Sequence, residues 1–123
     1  MTLLLTNALL LPCTPSMPVI ENGWVQVDGE TITATGSGAP PAIPGAETID
    51  LGGDMLMPGM VNPHCHIAMT LFRGLGEDVD DRLYRYVLPM ERKFVTPDMV
   101  RAGTALGVYE MISSGVTAVA DMY

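Results

Sequence analysis

PGMVNPHCH, residues 58–66, holds both histidines of a 123-residue chain in one triplet, His64-Cys65-His66, just after a Pro-Gly turn and an apolar segment. Read as extended backbone from Met60 to His66, the segment alternates its side chains between two faces, so residues i and i+2 project together about 6.5 to 7 Å apart. His64 and His66 can then converge on one ion, since zinc takes imidazole nitrogen at about 2.0 to 2.1 Å, although a bare His-x-His is more often a pair of surface or structural residues. On a helix the same two residues would diverge by roughly 200°. Cys65 falls on the opposite face, directed into packing, and is not a ligand in this reading. The pair sits where the strand ends, the position at which α/β barrels place their chemistry.

Outward from that triplet the chain divides at Pro58. Length alone suggests one domain that buries about two-thirds of its unfolded surface, but the two sides differ in character. On the N-terminal side, residues 3 to 11 form an apolar strand. Trp24 to Val27 and Thr31 to Thr35 flank an Asp28-Gly29-Glu30 turn as a hairpin. GSGAPPAIPGA (36–46) is an exposed loop, and Glu47 to Leu51 a short strand ending at Gly52-Gly53. Residues 1–57 are thus a small β unit. On the C-terminal side, after a loop around Arg73-Gly74-Leu75-Gly76, a first helix is expected over Asp80 to Val87, broken before Pro89. A second has Thr96 as N-cap, Pro97 at its first position and Asp98 in its first turn. Its apolar stripe is expected at Ala102, Leu106, Tyr109, Met111 and Ile112, with Gly115 as the stop. Val116 to Ala120 form a further strand, and the order strand, helices, strand begins a parallel α/β system. No internal repeat is found.

The formal net charge of −8 and the absence of Lys or Arg before Arg73 argue against nucleic-acid and polybasic membrane partners. The opening MTLLLTNALLLPC lacks the positive region and the small residue before Cys13 that a leader requires, so it is read as mature protein. No apolar run approaches the roughly 20 residues that span a bilayer. Two cysteines in different elements suit a reducing cytoplasm. The acidic cluster Glu77, Asp78, Asp80 and Asp81 reads as a solvated helix start; Arg73 has two readings, pairing with that cluster, which is the plainer, and orienting a substrate. Asp121 has two readings, a contact to the site and a cap on the next turn. With both histidines in one triplet no Ser/His/Asp triad can form, and no glycine-rich phosphate loop leads into a helix.

Three stretches, PGMVNPHCHIAMTLFRGLGED (58–78), LPMERKFVTPDMVRAG (88–103) and EMISSGVTAVADMY (110–123), resemble the amidohydrolase superfamily. The likeness is to its zinc aminohydrolase branch, which includes S-adenosylhomocysteine and methylthioadenosine deaminases and triazine chlorohydrolases. The resemblance implies an α/β fold in which 1–57 is the N-terminal part of a small β-sandwich. Residues 58–123 would then carry the first two strands of a (β/α)8 TIM-type barrel, incomplete in this chain. It implies that His64 and His66 are two ligands of one divalent metal, zinc by general occurrence, with iron equally suited to His ligation. Glu91, in Leu-Pro-x-Glu, would contact substrate ribose hydroxyls. The remaining metal ligands and the acid/base residues would lie beyond Tyr123.

The implied activity is hydrolytic deamination of an aminated heterocycle, a purine, pterin or nucleoside-like molecule, by metal-bound hydroxide. Chloride release by a triazine hydrolase is the variant within the family. A homo-oligomer in the cytoplasm is expected. Nucleoside-type relatives carry a tryptophan before Leu-Pro-x-Glu, whereas VDDRLYRYVLP (79–89) is about two residues shorter and offers Tyr84 or Tyr86, which argues against an adenosine-type substrate. The rival from another class is a short, non-catalytic binding or assembly module completed by another chain.

Overall fold

A computed structural model describes residues 1–122 of the chain, which form two compact units, Met1–Pro58 and Gly59–Tyr123, the last residue lying outside the described set. The first unit is one mixed sheet built from β1 (Thr2–Leu10), β2 (Ile20–Asp28), β3 (Thr31–Ser37), β4 (Glu47–Asp50) and β5 (Met55–Leu56). The order is β3-β2-β1-β4, with β5 also on β1. β1 pairs antiparallel with β2 and parallel with both β4 and β5. Leu4, Ala8, Leu10 and Val25 are its buried hydrophobic residues.

β1 can serve two partners on one edge because it is kinked at Asn7, whose φ is 54°. Asparagine tolerates this left-handed conformation better than most residues. The Asn7 carbonyl accepts from Gly53 N, and its Nδ2 donates to Asp50 Oδ1 at 2.9 Å, which also accepts from Gly52 N at 2.8 Å. The chain therefore leaves β1 after β4, turns through Gly52-Gly53, and returns as β5. That short strand is not evident in the sequence. The β2–β3 hairpin turns at Gly29 (φ 62°) as expected from Asp28-Gly29. Thr2, Thr33 and Gln26 all donate to the Asp28 carboxylate, and these bonds hold it below its ordinary pKa.

The second unit runs β6 (Met60–Cys65), a 3₁₀ turn (Ile67–Phe72), a π turn (Leu83–Val87), α1 (Leu88–Phe94), α2 (Pro97–Ser113) and β7 (Val116–Asp121). β6 and β7 pair in parallel through the intervening helices, as a β-α-β unit requires. Gly59 permits the close approach, because a Cβ there would run into the Thr117 side chain. The cap of α2 forms as read: Thr96 Oγ1 accepts from Met99 N at 3.2 Å, and Gly115, at φ 80°, ends the helix.

Three expectations for this unit are corrected. The helical segment does not break before Pro89. The π turn runs into α1 with Pro89 as its second residue, where a missing N–H costs little. The buried face of α2 is not the stripe of large residues: Tyr109 and Ile112 are 70% and 68% exposed, whereas Gly103 and Gly107 are buried. They allow the helix to lie directly on the 3₁₀ turn, where a Cβ at Gly103 would collide with the Ala68 carbonyl. Arg73 pairs not with the acidic cluster but with Glu110 on α2, in a fork of 2.9 and 2.5 Å. These bonds lower the Glu110 pKa and raise that of Arg73. Glu77 instead accepts from Gly74 N, and Asp81 pairs with Arg85.

Candidate metal centre

β6 is extended through Cys65, and His66 keeps non-helical backbone angles (φ −128°, ψ 78°) before the 3₁₀ turn begins. Both imidazoles consequently lie on one side, with ring centroids 5.4 Å apart and planes at 85°. Both histidines are exposed. A metal bound through nitrogen stands about 3.2 Å from each ring centroid, and a tetrahedral angle then separates two such centroids by about 5 Å. The spacing fits two ligands on one ion. Among the described residues no group of three or more His, Cys, Asp or Glu could hold a metal, so the donors present fit part of a coordination sphere and do not complete it.

Cys65 stands apart from the pair. Its thiol donates to the Ala120 carbonyl at 3.4 Å, and partial burial, with the Asp121 charge as a lesser cause, pushes its pKa up. It is a poor thiolate donor. Glu91 lies half-buried in the first turn of α1. Of the two tyrosines in the preceding segment, Tyr84 is exposed, while Tyr86 lies against Gly76 so closely that a Cβ there would reach its ring. The apolar groove between α2 and β7, lined by Val108, Met111, Ile112, Val116 and Val119, contains neither histidine.

Of its two readings, Asp121 takes that of a cap. Its Oδ1 accepts from Ile67 N at 3.1 Å and from Met122 N at 2.9 Å, so it caps the 3₁₀ turn that follows His66. The sequence signal was its place at the end of the strand parallel to the histidine strand. No local motif points to it, because its partner is 54 residues away.

Among the described residues no helix is long and apolar enough to cross a membrane. The chain is 44% identical over 125 residues to a 5-methylthioadenosine/S-adenosylhomocysteine deaminase of Symbiobacterium thermophilum, an alignment that takes in 98% of this chain and 28% of the relative. A protein of the same name from Natronomonas pharaonis is 43% identical, with 99% and 27% covered. The chain thus spans little more than a quarter of the length of these curated relatives. Among solved structures, an adenosine deaminase from Xanthomonas campestris with bound zinc superposes with a TM-score of 0.84 at 32% identity, covering 98% of this chain and 28% of that one. The amidohydrolase family model matches residues 55–123, more than half of the chain and all of the second unit. With the histidine strand, its parallel partner and this match in agreement, the chain belongs to the amidohydrolase family.

Proposed function

We propose that these residues are part of a metal-dependent aminohydrolase that deaminates an aminated heterocycle, nucleoside-like substrates being favoured. The observation that carries the reading is the His64/His66 pair, on one side of the carboxyl end of a parallel strand with a spacing that suits a shared ion. The names of the 44% identical relative and of the 32% identical structure support the substrate class. They weigh against the expectation drawn from the missing tryptophan.

In this proposal residues 1–57 contribute to a β-sandwich and 58–123 supply the first two strands of a (β/α)8 barrel. Support comes from the parallel β6–β7 pairing and from the apolar face of the first unit's sheet, where Leu5, Val27, Ile32 and Met57 line an open groove. His64 and His66 hold the ion, and Glu91 binds substrate hydroxyls. Cys65 packs against β7. Zinc is favoured over iron by the zinc in the structural relative. When bound, the metal supplies Lewis-acid activation of water. A homo-oligomer working in the cytoplasm belongs to the same proposal, the compartment resting on the two unbridged cysteines.

The test is ammonia release by the complete protein from 5′-methylthioadenosine, S-adenosylhomocysteine and adenosine, with guanine and a chlorotriazine as contrasts. Turnover of a nucleoside and its loss to background in His64→Ala is the expected result. Chloride release without ammonia would make the protein a chlorohydrolase, and activity retained in His64→Ala would remove the histidine from the mechanism.

A further inference from the structure

The histidine triplet is not held by a regular ladder. Asn62 pairs with Val119 and Cys65 with Asp121, so three steps along β6 answer two along β7. Such a bulge re-aims the side chains around it and leaves the extra residue unpaired. Pro63, inside the bulge, has no N–H to offer. Within β6 the His64 N–H donates to Asn62 Oδ1 at 3.3 Å, and the rest of the triplet is gripped by the end of β7. The Cys65 thiol donates to the Ala120 carbonyl, Met122 N donates to the Cys65 carbonyl at 3.0 Å, and Ile67 N donates to Asp121 Oδ1 at 3.1 Å.

The third of these bonds acts on the backbone immediately after His66. Ile67 N is the first donor of the 3₁₀ turn, a group that the turn itself cannot satisfy. His66 occupies the cap position but makes no side-chain cap bond, and Ile67 and Ala68 are buried, out of reach of compensating water. A carboxylate from the neighbouring strand takes the role that a local Ser or Asp usually fills.

We propose that Asp121 is a positioning residue for the metal pair. By accepting the Ile67 N–H it fixes the turn after His66, and with it the direction of the His66 imidazole relative to His64. This rests on the metal-ligand reading of the two histidines. The role needs an acceptor oxygen rather than a charge, so asparagine should serve where alanine fails.

Zinc affinity of the complete protein, measured by competition with a chromophoric chelator, tests this in wild type, Asp121→Ala and Asp121→Asn. Groups that orient metal ligands typically change affinity by 10- to 100-fold, so Asp121→Ala should bind zinc roughly tenfold or more weakly, and Asp121→Asn within about threefold of wild type. A merely structural cap would lower the melting temperature of Asp121→Ala and leave zinc affinity of the folded protein unchanged, which overturns the proposal. So does an Asp121→Asn variant as weak as Asp121→Ala. Hydrogen exchange on the metal-free wild type keeps the test independent of whether the alanine variant folds: the Ile67 amide should be protected, and rapid exchange there overturns the assignment. A wild-type protein that binds no zinc would refute the metal reading itself, and this inference with it.

Discussion

Cys65 shows how much one residue's environment decides within a dense motif. Flanked by two candidate ligands, it would be the natural third donor if sequence adjacency were the guide. Strand alternation turns it away, and the structure gives its thiol a carbonyl partner on β7 and a raised pKa. A thiol whose pKa is raised above its ordinary value stays protonated at neutral pH, and it is the thiolate that reacts. Brief iodoacetamide treatment of the complete protein, followed by peptide mapping, should therefore label exposed Cys13 well ahead of Cys65, by about tenfold or more in rate. Equal labelling would mean that Cys65 is neither packed nor protonated as described. The alternation that places Cys65 is legible in the sequence. The role of Asp121 was not, because a hydrogen bond to a backbone amide 54 residues away leaves no spacing signature.

At the scale of elements, local chemistry was readable and long-range packing was not. The Thr96 cap, Pro97 at the start and Gly115 at the end of α2 are all interactions within a few residues, and the helix forms between them. Its buried face went unseen because large apolar residues are the usual signal, whereas here two glycines make the contact. The helix backbone can approach the Ile67–Phe72 turn only where no Cβ intervenes. In an exposed helix Gly→Ala stabilises by about 1 kcal/mol through propensity alone. Gly103→Ala instead meets the Ala68 backbone, which cannot swing aside as a side chain could, and overpacking of this kind costs roughly 1 to 3 kcal/mol. Thermal melting of the complete protein should show Gly103→Ala less stable than wild type. An unchanged or raised melting temperature would mean that α2 does not pack on the turn through this face. The expected break before Pro89 failed for a related reason: at the second position of α1 a proline is tolerated, and the π turn ahead of it carries the chain through.

For the whole molecule, the two units carry different shares of the account. The sheet of the first unit is organised around the Asn7 kink, and neither that kink nor β5 could be read from propensity, since both depend on which strands share β1. The second unit holds everything the functional proposal uses. Several of its apolar residues are exposed, Val61 at 64% and Ile112 at 68%, and the chain spans 28% of the deaminase of Symbiobacterium thermophilum. The spacing of the two histidines was legible because its information is local, two residues on one strand face. The central claim is that this pair holds a divalent metal. Native mass spectrometry of the complete protein tests it most directly, since one spectrum reports chain mass and bound metal together. Wild type should carry one metal ion at the centre formed by His64 and His66, and the His64→Ala/His66→Ala double variant should carry none. A wild-type protein without metal, or a double variant that keeps it at full stoichiometry, would contradict the account.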